Sequence, residues 1–268
     1  MSLLSVENLH INAQGKALVQ GLSFAVEPGE RLGLVGESGS GKSLTAMAIL
    51  GLLPPAMRVS GSVLLAGKPV LGASEPDLAR LRGAAAAVVF QEPLTALDPL
   101  MRLGKQVAES LARQARRAGR PLAALALRGA VLALLDQVAL QDPVRVARAY
   151  PHEVSGGQRQ RVALAMALAC QPRLLIADEP TTALDVTTQA EILALLDSLV
   201  AARKMALLFI SHDLAVVAQV ADRVMVLQAG RMVEQGPVQQ VFSDPRHAYT
   251  RTLVTAAQSF DRALGGRP

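Results

Sequence analysis

Four short apolar runs punctuate the chain, at residues 31–35, 86–90, 174–177 and 206–210. Each is too short for a helix and apolar along almost its whole length, the pattern of a parallel strand buried on both faces. A polar group follows every run at once: a glycine-rich loop after Val35, Gln91 after Phe90, Asp178-Glu179 after Ala177, and Ser211-His212-Asp213 after Ile210. Open parallel sheets take their ligands just beyond the carboxyl ends of their strands. Four such endings predict one active site assembled from distant sequence.

Residues 3–6, 23–26 and 61–65 are shorter strand candidates bounded by Gly and Pro. Residues 224–227 and 231–234 flank Gln228-Ala229-Gly230 as a hairpin. Together they predict antiparallel strands on the margin of the parallel sheet. From about residue 93 to 150 the period changes. Val107, Ser110 and Leu111, then Val131, Leu132, Leu134, Leu135 and Val138, recur at helix-face spacing. Gly119-Arg120-Pro121 breaks that stretch into at least two helices, so a helical insert of roughly 60 residues is expected inside an α/β core.

Composition narrows the classes. Hydrophobic residues make up 51% and charged residues 18%, which suits a filled core and excludes disorder. No run approaches the roughly 20 apolar residues that span a bilayer. Residues 1–15 lack a secretory layout, so a cytosolic chain is expected. The single Cys170 excludes a disulfide framework and a cysteine zinc site, and reads as a core thiol. The net charge is +5, most of it from arginine, which could favour an anionic lipid surface. Nucleic acid is disfavoured, because aromatics are 3% of the chain and no basic stripe is interleaved with them. The cluster Arg113, Arg116, Arg117 and Arg120 reads as a solvated helix face.

Gly36-Glu37-Ser38-Gly39-Ser40-Gly41-Lys42-Ser43 fits the phosphate-loop pattern. Its three glycines let the backbone turn so that successive N–H groups point at phosphates, and the helix beginning near Lys42 adds its positive end. Lys42 would reach the β- and γ-phosphates, and the Ser43 hydroxyl would bind Mg²⁺. Asp178, closing its strand, would hold the same ion directly or through water. Glu179 would orient and deprotonate the attacking water. Alone, an Asp-Glu pair is a solvated turn and a lone Gln a polar strand end; beside a phosphate loop both gain weight. The Gln91 side-chain carbonyl would ligate Mg²⁺ or position water, coupling nucleotide state to the insert. Ser155-Gly156-Gly157-Gln158 opens the helical run 159–170 and forms a second anion cradle. One γ-phosphate does not need two cradles from one chain. The second is expected to serve a nucleotide bound by a partner subunit.

In this order the motifs resemble the ABC ATPase superfamily over nearly the whole chain. The phosphate loop is similar to its Walker A, Gln91 to the Q-loop, Val154-Ser155-Gly156-Gly157-Gln158 to the signature, residues 174–179 to Walker B, Ala183-Leu184-Asp185 to the D-loop and His212 to the switch histidine that contacts the γ-phosphate. His10, His152 and His247 lack such a frame and read as non-catalytic. The resemblance implies a single domain over 1–268. Residues 1–92 and 172–268 would form a P-loop NTPase core with a mainly parallel sheet, an antiparallel β margin and a C-terminal tail. Residues 93–171 would be the helical insert that carries the signature. It further implies an ATP hydrolase using ATP and Mg²⁺ at the cytoplasmic face of an inner membrane. Its partners would be a second ABC ATPase (a paralogue, or an identical copy), two transmembrane permease subunits and, indirectly, an extracytoplasmic binding protein, with no nucleic acid. Asp185 would communicate across the dimer.

Gln91-Glu92-Pro93, Tyr150-Pro151-His152-Glu153, Asp178-Glu179-Pro180-Thr181-Thr182 and the tail Asp244-Pro245-Arg246-His247-Ala248-Tyr249-Thr250 resemble the peptide/nickel importer branch. Leu52-Leu53-Pro54 and Gly67-Lys68-Pro69-Val70 resemble its nickel-import D-type subunit. That points to nickel or a metal–chelator complex as cargo, with di- or oligopeptides as the alternative and a DNA-acting ABC ATPase as a more distant one. Three features depart from the pattern. Val154 replaces a leading Leu, residues 7–13 offer only His10 and Ile11 where an aromatic often stacks on adenine, and no C-terminal cysteine cluster follows, so no iron–sulfur cluster is expected.

Overall fold

The computed structural model describes residues 2–182 and 184–263, the side chains of 258–263 excepted. The chain divides into two units, Met1–Leu78 with Ala206–Pro268, and Ala79–Met205. The first begins with strands β1 (Leu4–Ala13), β2 (Lys16–Val26) and β3 (Arg31–Val35), helix α1 (Lys42–Ile49), and strands β4 (Arg58–Leu65) and β5 (Lys68–Pro69). Helix α2 (Glu75–Leu81) runs across the boundary in sequence. The second unit holds β6 (Ala86–Val89), α3 (Leu103–Arg117), α4 (Ala124–Gln137), α5 (Pro143–Arg148), α6 (Gly156–Ala169), β7 (Leu174–Asp178) and α7 (Val186–Arg203). The first unit resumes with β8 (Ala206–Ser211), α8 (Leu214–Val220), β9 (Arg223–Gln228), β10 (Arg231–Pro237), α9 (Val238–Ser243) and α10 (Ala248–Ala263).

In the first unit β3 pairs in parallel with β8 on one side and β9 on the other, and β10 closes the edge antiparallel to β9. Every residue of β8 is buried, as a parallel strand covered on both faces requires. No residue of edge strand β10 is buried. Gly33 of β3 has no room for a Cβ, because Val217 of α8 packs directly on the backbone there. The β9–β10 hairpin is the antiparallel margin expected from the sequence. The other antiparallel strands differ from expectation: β1, β2, β4 and β5 form a sheet of their own, in the order β2-β1-β4-β5. Of these, β1, β2 and β4 are also longer than the short runs predicted. Register shifts in β1 between Val6 and Leu9 and between Leu9 and Ile11, with Asn8 at φ 47°, break the two-residue alternation that would have marked the full strand. Gln14 and Gly15, at φ 50° and 78°, make the tight turn between β1 and β2.

The two sheets of this unit are tied by backbone and charge. The Gln20 N–H donates to the Gly230 carbonyl at 2.8 Å. The Arg223 guanidinium reaches Glu30 Oε1 at 2.8 Å and the Ala25 carbonyl at 2.7 Å.

In the second unit β6 and β7 are parallel neighbours, Ala86 opposite Leu174 and Val89 opposite Ala177. The helices α3 to α6 fall inside the predicted 93–171 stretch, and the break between α3 and α4 spans Gly119-Arg120-Pro121 with Gly119 at φ 69°. Arg113, Arg116, Arg117 and Arg120 are all exposed, as a solvated helix face requires, and Arg117 also makes specific contacts. Its guanidinium donates to the Ala79 carbonyl at 2.6 Å and the Arg82 carbonyl at 2.9 Å, tethering α3 to the chain around the end of α2. Cys170 is half-buried, and burial pushes its thiol up despite nearby Arg117 and Arg113.

Candidate functional site

The phosphate loop leaves β3 at Gly36. A Cβ on Gly36 would collide with the Leu227 carbonyl of β9 and lie 2.6 Å from Ser40 Oγ, so glycine lets the loop lie flat on the sheet. Gly41, at φ 101°, turns the chain into α1 and supplies no side-chain cap. Contrast α6, α7 and α8, whose caps Ser155, Asp185 and Asp213 accept from their own helices. An α1 start without a side-chain cap aims its backbone donors at whatever enters the loop, the condition for anion binding. Lys42 is 4% exposed, and its ammonium donates to the Gly36 carbonyl at 2.6 Å and the Glu37 carbonyl at 2.9 Å. The cation is thus stored inside its own loop and would exchange those carbonyls for phosphate oxygens. Ser43 and the two outer residues Glu37 and Ser38 are exposed, and Ser40 is buried.

Val35 pairs with Ser211 in the parallel ladder, so the loop and His212 leave neighbouring strands at the same end. His212 is exposed. Asp213 beside it caps α8, its Oδ1 accepting from the Ala215 N–H at 2.8 Å.

The second unit repeats the arrangement. Val89 pairs with Ala177, so Gln91 and Asp178-Glu179 also leave adjacent strands at one end. Gln91 is exposed, and Asp178, the last residue of β7, is 6% exposed. Glu179 takes a left-handed backbone at φ 48°, a conformation that costs a non-glycine residue about 1–3 kcal/mol. Its Oε2 accepts from the Thr182 hydroxyl at 3.0 Å. Strain in the backbone and a hydroxyl on the carboxylate together fix where the candidate base points.

At the start of α6 the Ser155 hydroxyl accepts from the Gln158 N–H at 3.3 Å, and Gln158 Oε1 accepts from the Ser155 N–H at 3.2 Å, a capping box. The capping box commits the Gln158 Oε1 and backbone N–H to the helix start, so the donors of the predicted second cradle are the Gly156 and Gly157 N–H groups, the Ser155 O–H and the Gln158 side-chain amide. A Cβ on Gly157 would come 2.7 Å from Thr188 Cγ2, so α7 approaches closely there. Val154 is buried, in keeping with an apolar replacement for Leu. Asp185 caps α7 through the Thr188 N–H at 3.0 Å and its hydroxyl at 2.7 Å. Those hydrogen bonds, the backbone one first, hold the Asp185 carboxyl below its usual range. Ala183 of the predicted D-loop lies outside the described residues.

Sequence reasoning missed two residues here. Thr182 could be found only by knowing that Glu179 folds back toward it. Tyr249 accepts from the Glu37 N–H at 3.0 Å across 212 residues of sequence, and no local pattern marks that contact. Among the described residues no group of three His, Cys, Asp or Glu could hold a metal by itself. A hard cation would need oxygens from phosphate or water to complete its shell.

A strand–loop–helix phosphate cradle with a buried lysine, and a strand-end Asp-Glu pair, define a P-loop nucleoside triphosphatase. The family described as ABC transporter matches residues 19–182. The peptidoglycan transport ATP-binding protein YejF of Agrobacterium fabrum is 49% identical over 95% of this chain and 47% of its own length. The dipeptide transport ATP-binding protein DppD of Bacillus subtilis is 43% identical over 97% of this chain and 78% of its own. The chain thus spans about half the length of the first relative and over three quarters of the second. A solved dimer of the ATP-binding cassette MJ0796, in a post-hydrolysis state bound to ADP and Pi, superposes with a TM-score of 0.78 at 27% identity, covering 88% of this chain and 98% of that one. The chain belongs to the ABC transporter family and has the fold of its ATPase domain.

Proposed function

We propose that this chain hydrolyses ATP to power an ABC importer of short peptides. The observation that carries the reading is the Gly36–Ser43 cradle, where a buried Lys42 donates to two loop carbonyls that phosphate oxygens can replace. Lys42 takes the β- and γ-phosphates, and Gly36, Glu37, Ser38, Gly39, Ser40 and Gly41 shape the backbone around them. Ser43, Gln91 and Asp178 hold Mg²⁺, which when bound neutralises developing phosphate charge. Glu179 takes a proton from the attacking water, and His212 contacts the γ-phosphate. The Ser155, Gly156, Gly157 and Gln158 donors serve a nucleotide carried by a second cassette, so two subunits enclose two nucleotides. The chain docks at the cytoplasmic face of the membrane on two permease subunits, which an extracytoplasmic binding protein meets from the other side. No helix among the described residues is long and apolar enough to cross it, consistent with a peripheral subunit.

The cargo reading follows the relatives' names, peptidoglycan transport and dipeptide transport. They support the peptide alternative over the nickel expectation drawn from the sequence. The test is to assemble the chain with its permease in vesicles and measure phosphate release. Peptide-loaded binding protein should stimulate it several-fold. Stimulation by nickel-loaded protein alone would return the cargo to nickel, and no release from the wild type with or without a partner would remove the ATPase reading.

A further inference from the structure

We propose that Tyr249 is a positioning residue for the phosphate loop, joining the C-terminal segment to nucleotide affinity. The inference rests on the ATPase reading and adds a residue that neither the loop motif nor the strand-end carboxylates include. Its basis is the peptide at Glu37. The Glu37 N–H donates to the Tyr249 hydroxyl at 3.0 Å. The Gly36 carbonyl, in the same peptide unit, accepts from Lys42 Nζ at 2.6 Å. One peptide unit therefore links the tyrosine to the lysine that must move when phosphate arrives. Because the unit is planar, tilting its N–H tilts its carbonyl with it.

The tyrosine is itself held firmly. It is 8% exposed in the first turn of α10, and Thr250 beside it is fully buried. Just before it, the Arg246 and His247 N–H groups donate to the two carboxylate oxygens of Glu234, at 2.8 and 3.0 Å. Burial acts to raise the Glu234 carboxyl, but the nearby Thr250 hydroxyl, the Arg246 and His247 N–H groups and the His247 charge outweigh burial and leave it below its usual range. Glu234 lies opposite Val226 of β9, and Val226 lies opposite Val35, the last residue before the loop. The segment carrying Tyr249 is thus indexed to the same register as the strand that launches the loop. Farther along, Leu253, Ala256 and Ala257 of α10 share a cavity of about 240 Å³ with His212. One helix meets both phosphate-facing elements of this unit. Burial pushes the Tyr249 phenol up, so at neutral pH it stays protonated, able to accept from Glu37 without opposing a phosphate's charge.

Tyr249→Phe keeps the ring and removes the hydroxyl. Titration calorimetry with MgADP should show nucleotide binding weakened about three- to tenfold, the effect of one lost hydrogen bond. The KM for ATP should rise likewise with kcat nearly unchanged and the melting temperature little altered. A purely structural tyrosine would instead shift the melting temperature and leave the KM alone. Lys42→Ala serves as the control. If the wild type binds no better than Lys42→Ala, the ATPase reading fails and this inference with it. If the wild type binds, Lys42→Ala does not, and Tyr249→Phe matches the wild type, only the inference fails. Hydrogen exchange at the Glu37 amide of the unmutated protein tests the contact without any variant. Protection supports it, and exchange at the free-peptide rate overturns it.

Discussion

Replacing the loop glycines by alanine one at a time separates two costs that a glycine avoids. Gly39 sits at φ 80° with nothing within 4 Å of an added Cβ, so Gly39→Ala meets conformational strain alone. That strain is about 1–2 kcal/mol. Gly36 is the reverse case. It lies outside the left-handed region, but its added Cβ would sit 2.6 Å from Ser40 Oγ and against the Leu227 carbonyl. Ordinary contact begins at 3.4 Å, and the Leu227 carbonyl is strand backbone that cannot swing aside as a side chain can. Overpacking of this kind costs roughly 1–3 kcal/mol. Gly41 suffers both, at φ 101° with Val19 Cγ2 at 2.9 Å and the Leu18 carbonyl at 3.0 Å. For a chain of this size each kcal/mol lowers the melting midpoint by about 2 °C. Thermal unfolding without nucleotide should therefore rank the variants Gly39→Ala, Gly36→Ala, Gly41→Ala in order of increasing loss, from about 2 °C to 6 °C or more. A loop pushed nearly 1 Å off its strand should also leave Gly36→Ala about a hundredfold slower in turnover. If Gly39→Ala were the least stable of the three, or Gly36→Ala melted with the wild type, the loop would not rest on β9 as described.

Glu179→Gln should lose ~10²–10⁴ in ATP turnover while keeping nucleotide affinity; phosphate release at the parental rate would strip Glu179 of its role as base. Thr182→Ala frees one Glu179 oxygen and should lower kcat about three- to tenfold with KM unchanged; a changed KM instead would place Thr182 in binding. Asp185, whose carboxyl lies below its usual range through the Thr188 hydrogen bonds, contributes stability that is present above the unfolded value and lost as pH falls through the folded one. The melting-temperature gap between wild type and Asp185→Asn should therefore be widest near pH 6 and close below about pH 4. A gap independent of pH would mean that the carboxylate charge plays no part in the cap.

What the sequence shows and hides has one physical root. The strands β3, β6, β7 and β8 match their apolar runs to within a residue, because burial on both faces forces every position to be apolar. β1 and β2 escape because bulges interrupt their alternation. Helix α1 stops at Ile49 although the apolar run continues through Leu53, since Gly51 turns left-handed at φ 62° ahead of Pro54-Pro55. The site divides in the same way. The candidates Asp178, Glu179 and His212 are legible because each ends or follows a strand whose run is legible, and Lys42 because it closes the glycine-rich loop that follows β3. Thr182 and Tyr249 are not, because they act through contacts that only the folded register creates. Glu179 is the sharpest case. A residue before proline is biased toward extended backbone, and Asp-Glu-Pro therefore predicts an extended Glu179. The structure holds it left-handed, at φ 48°. Local preference and observed conformation disagree at the one carboxylate proposed to move a proton. Such disagreements persist only where the surroundings over-determine the geometry, and they concentrate at functional sites. The Thr182 hydroxyl supplies part of that determination. The misfit between the local sequence and the backbone at Glu179 is thus itself an argument for its role, independent of the motif that first singled it out.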